Sequence, residues 1–266
     1  DNSVKTLGIQ WHPAVDNFGF KVQVINVDRS FTKREVLSDT AKLFDPLGIL
    51  SPVTIYPKLF LQALWKLELG WDESIPEEIA IGWKHYRETL PRLEQIQIPR
   101  CVIVPNVINL QLHGFSDASE RAYAAAVYIR SVAVSGSIEV HLLTSKTKVA
   151  PLKNVSLPRL ELCGAVLLAK LMTNVHQALA LNFNELHCWS DSTIVLAWIN
   201  SASYKWKPFV ANRITEIHEC RPAPKWHHIS GKDNPADLPS RGISPPDLQG
   251  NNLWWHGPAL LHAPYH

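Results

Sequence analysis

Leu110-Gln111-Leu112-His113-Gly114-Phe115-Ser116-Asp117-Ala118-Ser119 decides how this chain is read. Leu110–Ser116 has the alternation of a strand, and it finishes on an acid, Asp117, set among small neighbours that leave room for a ligand. Outward from it, Tyr123–Arg130 and Ile138–Thr144 read as two further strands. Pro158 then opens a long apolar helix to about Ala180, because proline is tolerated in a first helical turn. A buried strand over Glu185–Ser190, short helices over Ser192–Asn200 and Phe209–Glu219, and a last strand over Lys225–Ile229 complete the pattern. Three strands, a helix, then alternating strand and helix is an α/β order with a mixed sheet.

The sequence before this region has a different period. Pro91, Pro99 and Pro105 interrupt it near 91–109, where a domain boundary is expected. Thr32–Phe44, Val53–Leu69 and Glu77–Leu90 read as helices; Thr32-x-x-Glu35 is a capping box, and Asp45-Pro46-Leu47-Gly48 with Ser51-Pro52 separates the first two. A short β-rich start covers Thr6–Trp11 and Phe18–Val27. The expected division is a mainly helical module over 1–100, an α/β domain over 101–245 and a C-terminal linker over 246–266.

Composition bounds the function classes. The 266 residues are 46% hydrophobic and 19% charged, with 12 Gly and 19 Pro, which suits a folded chain and excludes a disordered or fibrous one. No apolar run is expected to reach the ~18 residues of a membrane span, and the first thirty residues lack a signal-peptide layout. The start at Asp1 and the single Met172 lead to the expectation of a piece of a longer protein. Cys101, Cys163, Cys188 and Cys220 have no zinc-type spacing and are expected as free thiols. Residues 1–100 hold 12 Lys+Arg against 13 Asp+Glu, whereas 101–266 hold 14 against 11. Gathering several of those acids in one site leaves the rest of the second surface basic.

Four acids stand at suggestive places. Asp117 ends a strand, Glu161 lies near the start of the long helix among Leu160, Leu162 and Val166, Asp191 follows Leu186–Ser190, and Asp237 follows the Gly231 turn. Taken singly, each has an ordinary explanation: Asp191 as a helix N-cap, Glu161 as a partner of the helix dipole, Asp117 and Asp237 as turn residues. Taken together, they fall along one edge of an α/β sheet, where sites are commonly built. Four carboxylates there repel one another unless cations hold them. Hard oxygen donors suit Mg²⁺ or Mn²⁺, and two such ions about 4 Å apart are a recurrent arrangement for phosphodiester cleavage.

The order Asp, Glu, Asp, Asp, carried in Gly114–Ser119, Pro158-Arg159-Leu160-Glu161-Leu162, Trp189-Ser190-Asp191-Ser192 and Gly231–Asp237, resembles the ribonuclease H domain of retroelement polyproteins. Phe209-Val210-Ala211-Asn212-Arg213, Ser240-Arg241-Gly242 and Trp254-Trp255-x-Gly257-Pro258 resemble the Pao (BEL) class of long-terminal-repeat retrotransposons in particular. Leu7-Gly8-Ile9-x-Trp11 and the Asp45–Pro52 segment resemble the end of its reverse transcriptase and the connecting region.

The resemblance implies a ribonuclease H-like five-stranded sheet of order 3-2-1-4-5 with flanking helices, and hydrolysis of the RNA strand of RNA–DNA hybrids. It implies that Asp117 bridges two Mg²⁺ or Mn²⁺ ions, that Glu161 and Asp191 hold the one near the leaving oxygen, and that Asp237 helps hold the one that activates water. One departure stands out: cellular ribonucleases H carry a histidine in the loop before the last acid, and this loop reads Ser230-Gly231-Lys232. His227 and His228 are read as strand residues, and Trp189 and Trp198 as core. The implied partners are the hybrid and the remaining reverse transcriptase and integrase, with no membrane, in cytoplasmic element-encoded particles or the nucleus.

Two basic groups are read either as a substrate surface or as an ordinary solvated surface with Trp206 half-buried. Lys146, Lys148, Lys153 and Arg159 form one acid-free group, and Lys205, Trp206, Lys207 and Arg213 a second. Candidate strand contacts are Ser119, Arg159, Ser192, Lys205, Trp206, Lys207 and Arg213. Two rival readings are an inactive nucleic-acid-binding scaffold from a decayed or domesticated element and another metal-dependent nuclease of the same fold.

Overall fold

The computed structural model describes residues 4–6, 9–22 and 31–264. Leu7, Gly8 and the second half of the expected Phe18–Val27 strand lie outside them. The chain forms two units, one made of Asp1–Pro46, Leu50–Cys101 and Gly242–Asn251, the other of Leu47–Ile49, Val102–Arg241 and Asn252–His266.

In the first unit, β1 (Val4–Thr6), β2 (Ile9–His12), β3 (Asn17–Phe20) and β4 (Ile98–Pro99) form a small antiparallel sheet in that order. Pro99 is accommodated because β4 is an edge strand. Helices α1 (Lys33–Lys42), α2 (Ser51–Lys66) and α3 (Glu77–Thr89) supply the bulk. The capping box forms: Glu35 N–H donates to Thr32 Oγ1, and the Glu35 carboxylate accepts from Thr32 N–H. Val53, Ile55, Leu64, Trp83 and Leu93 are buried.

The second unit is built on β5 (Val107–Ala118), β6 (Ala122–Ala133), β7 (Ile138–Val149), β8 (Glu185–Ser190) and β9 (Lys225–His228). Their spatial order is β7-β6-β5-β8-β9, the expected 3-2-1-4-5. The first three strands run antiparallel, and β8 and β9 join parallel to β5. Helices α4 (Leu157–Leu179), α5 (Thr193–Ile199) and α6 (Pro208–Glu219) pack on one face. Gly114 lets α4 settle there: a Cβ at that position would meet Leu168 Cδ1 at 2.4 Å.

Among the described residues α4 is the one helix long and apolar enough to cross a membrane, contrary to the expectation that no such run exists. Its composition has another cause. Leu167, Leu168 and Met172 join the core beneath the sheet, while Leu162, Ala165 and Ala169 pack against Val195, Val210 and Ile214 of α5 and α6. A helix buried on two sides needs apolar residues over most of its circumference.

The segment expected as a linker over 246–266 is folded as far as 264. It contains α8 (Pro245–Gln249) in the first unit, and α9 (Asn252–His256) and a 3-10 turn over Ala259–His262 in the second. Trp254 and Leu261 are fully buried, Tyr128 donates to Trp254 O at 2.7 Å, and Arg130 Nε donates to Leu261 O at 2.7 Å. Leu47–Ile49 also belongs to this unit. Gly48 has φ +69°, and a Cβ there would stand 1.8 Å from Ser145 O. Ser145 N–H donates to Leu47 O at 3.0 Å.

Candidate functional site

The register of the parallel pair places two of the acids. Ser116 of β5 lies opposite Ser190 of β8, so Asp117 and Asp191, the next residue of each chain segment, stand side by side. Asp117 is buried at 5% exposure and pairs in register with Ala124, one of three consecutive small residues of β6. Glu161 reaches the same end of the sheet from the beginning of α4. Gly164, on the next turn, permits this approach: its Cβ would lie 3.1 Å from Asp117 O. Asp237 begins α7 (Asp237–Arg241).

Glu161, Asp117 and Asp237 each have a dedicated polar neighbour. Ser192 Oγ donates to Glu161 Oε2 at 2.7 Å and accepts the Val195 N–H, which makes Ser192 the N-cap of α5. Asp191, whose ordinary reading was that cap, is thereby released from it. Ser240 Oγ donates to Asp117 Oδ2 at 2.5 Å, and Arg241 pairs with Asp237. Asp191 Oδ1 is buried without a hydrogen-bond partner.

Burial sets the charge state of this group. It pushes Asp117 up to about 7, with the Ser240 hydrogen bond opposing and the charges of Asp191 and Asp237 adding to the rise. Burial likewise raises Glu161 and Asp191, helped by the charge of Asp191 on the former and of Asp237 on the latter. The Arg241 guanidinium is held charged, first by its hydrogen bond to Asp237 and further by the fields of Asp117 and Asp191.

Among the described residues no three His, Cys, Asp or Glu side chains are gathered closely enough to enclose a metal ion. The donor set still fits a hard divalent cation: four carboxylates, mutually repelling, with one buried oxygen unsatisfied.

The candidate strand contacts divide into two kinds. Ser119 and Ser192 use their hydroxyls internally, Ser119 donating to Ser240 O at 2.7 Å and Ser192 to Glu161. The basic residues are presented differently. Arg213 lies over the Phe209 ring at 3.5 Å and Arg159 over it at 5.0 Å, so the two basic groups that are separate in sequence meet at Phe209. Lys205 and Lys207 are exposed, and between them Trp206 is fixed by its Nε1–H to Ser201 Oγ at 2.6 Å and by an edge contact with Trp198. Lys146, Lys148 and Lys153 are exposed.

Sequence reading missed Asn234, Ser240, Arg241 and Phe209 as contributors. The first three sit three before, three after and four after Asp237, the spacing at which residues around a helical turn share a face. His227 and His228 lie in or at the end of β9, as read, and Trp189 and Trp198 are half-buried.

The Pao retrotransposon-like RNaseH-like domain matches residues 32–192, and the chain belongs to that family. It is thus a ribonuclease H-like domain of a retroelement, in a reverse-transcriptase context. No curated protein matches the chain. Among solved structures, LC11-RNase H1, isolated from compost by a metagenomic approach and crystallised with an RNA/DNA hybrid, is 13% identical over 48% of this chain and 91% of its own, with a TM-score of 0.33. RNase H1 from the halophilic archaeon Halobacterium salinarum NRC-1 is 11% identical over 48% of this chain and 90% of its own, TM-score 0.30. The foamy viral protease-reverse transcriptase bound to dsDNA is 14% identical over 87% of this chain and 45% of its own, TM-score 0.46.

Proposed function

We propose that the second unit is a ribonuclease H that cleaves the RNA strand of RNA–DNA hybrids during retrotransposon reverse transcription. The observation that carries this reading is the neighbouring placement of Asp117 and Asp191 after the Ser116–Ser190 pair, with Glu161 and Asp237 brought to the same end of the sheet and Asp191 Oδ1 buried unpaired. Asp117, Glu161, Asp191 and Asp237 would hold two Mg²⁺ or Mn²⁺ ions, which when bound lower the pKa of water and stabilise the departing oxyanion. Ser192 orients Glu161. Arg159 and Arg213, stacked on Phe209, neutralise strand phosphates, and Lys205 and Lys207 extend that surface past the Trp206 ring. In the element, the remaining reverse transcriptase and integrase are the expected companions.

A labelled RNA–DNA hybrid incubated with Mg²⁺, with Mn²⁺ and with chelator tests the proposal. Cleavage of the RNA strand alone, lost with chelator and in Asp117→Asn and Asp191→Asn, is the expected result. Cleavage unchanged in both variants would remove the site assignment. One arrangement favours the inactive-scaffold reading: the Asp237 carboxylate is paired with the Arg241 guanidinium. Hybrid binding without cleavage under any ion would establish it.

A further inference from the structure

We propose that Ser240 and Asn234 are positioning residues that hold Asp117, and the end of β5 that carries it, in place for a divalent cation. The inference rests on the reading of the four acids as an ion-binding centre and adds to it the device that keeps Asp117 oriented. Both side chains are fully buried. A buried hydroxyl or amide must find partners, and here the partners are Asp117 and the strand that carries it.

Ser240 has one hydroxyl proton and two acceptors within reach, Asp117 Oδ2 at 2.5 Å and Asp237 O at 3.0 Å. The shorter contact is to the carboxylate, and bonds to a charged acceptor are the stronger ones. Its carbonyl accepts from Ser119 Oγ at 2.7 Å, so the residue is fixed from both ends. Asn234 Nδ2 donates to Ser116 O at 3.0 Å, and its Oδ1 accepts the Ala236 N–H at 3.1 Å. The chain on either side of Asp237 thus reaches the end of β5 twice, through Asn234 and through Ser240. The Ser240 bond engages one oxygen of Asp117, and Asp191 Oδ1 is buried without a hydrogen-bond partner. Outer partners of this kind fix ligand orientation, and their removal costs about 10–100-fold in metal affinity or activity.

The test is calorimetric titration of Mn²⁺ into wild type, Ser240→Ala, Asn234→Ala and the nearly isosteric Ser240→Cys, with near-ultraviolet circular dichroism to confirm folding. Ser240→Ala and Asn234→Ala should each weaken Mn²⁺ binding by about tenfold, with Ser240→Cys between Ser240→Ala and wild type because the thiol is a weaker donor. Hybrid affinity in chelator and KM for the hybrid should stay at wild-type values while kcat falls. A wild type that binds Mn²⁺ and variants that bind it equally well would overturn this inference alone. A wild type that binds no Mn²⁺ would overturn the ion-centre reading and this inference with it. Equal losses in chelator-treated hybrid binding and Mn²⁺ binding would assign both residues a purely structural role and also overturn it.

Discussion

Ser192 Oγ donates to Glu161 Oε2 at 2.7 Å while accepting the Val195 N–H at 3.3 Å, so one hydroxyl joins the cap of α5 to an acid on α4. The two jobs separate in a variant. Ser192→Ala should lose about 1–2 kcal/mol of stability through the cap, seen as a lower thermal midpoint. It should also lower kcat about tenfold because Glu161 is no longer oriented. Ser192→Asn, an amide that caps well, should recover stability without recovering kcat. Full recovery of both would show that the Glu161 contact has no part in turnover.

The acids make the metal-free protein pH-sensitive in an unusual direction. Asp117 sits near 7 when folded against an ordinary value near 3.8, because burial outweighs the Ser240 hydrogen bond. The native state therefore binds more protons than the unfolded state between those values. Stability from this group is complete below about 3.8 and is lost as pH rises through about 7. Asp191 and Glu161, also raised, act in the same direction. Asp117→Asn should melt higher than wild type at pH 8 in chelator, with the gap closing toward pH 5. Divalent ion should remove the gap by stabilising only the wild type. A gap independent of pH would place the effect outside the carboxyl group.

The opposite slope comes from the histidines on the other stretch of β5 and β8. His113 is fully buried, accepts Trp189 Nε1–H at Nδ1 (3.2 Å) and meets Gln111 Oε1 at Nε2 (3.1 Å), which selects the neutral ring protonated at Nε2. Arg130 Nη1 also donates to Gln111 Oε1, so a second positive charge is unwelcome. Burial pushes His113 well below its ordinary value, and burial also lowers His187 and His227. Depressed histidines give stability that is present above about 6.5 and lost as pH falls through their folded values. The His113 ring-proton resonance should not titrate between pH 8 and 5 by NMR. A midpoint near 6.5 would mean that water reaches the stack.

Much of this was legible in the sequence because it depends on period and spacing. The strands of the sheet, the long helix behind Pro158 and the Thr32–Glu35 capping box follow from local patterns. The identity of the α5 cap was not legible, since Asp191 and Ser192 both suit the position; the structure gives it to Ser192, whose side chain accepts the Val195 N–H. Nor was the fate of Trp254, because short Pro-rich segments carry no period and their burial depends on what Tyr128 offers across the sheet. The Ser240–Asp117 bond spans more than a hundred residues, a distance at which one sequence carries no pairing signal.

Gly164 links packing to chemistry. A Cβ there would stand 3.1 Å from Asp117 O and 3.6 Å from Ala124 O, both backbone atoms that cannot swing aside. Alanine is the better helix former by about 1 kcal/mol, yet the contact should outweigh that gain. Gly164→Ala should therefore melt lower than wild type and weaken Mn²⁺ binding, as α4 carries Glu161 away from Asp117. A higher melting point with unchanged Mn²⁺ affinity would show that α4 has slack at this turn.

The meeting of Arg159 and Arg213 at Phe209 separates charge from stacking in hybrid binding. Each cation that neutralises a phosphate releases counterions, so losing one should lower the slope of log affinity against log salt by about 0.9. Arg213→Gln should show that loss, and Lys205→Glu with Lys207→Glu at least twice it. Trp206 carries no charge; its ring is held in place by Ser201 and Trp198 and is 40% exposed. Trp206→Ala should weaken binding at every salt concentration by a constant factor, because stacking is worth about 1–3 kcal/mol per base and releases few ions. Equilibrium binding of a short hybrid in chelator, measured across a salt series, distinguishes these. If Trp206→Ala alters the slope and Arg213→Gln does not, the arginines serve only to pack against Phe209 and the strand runs elsewhere on the domain.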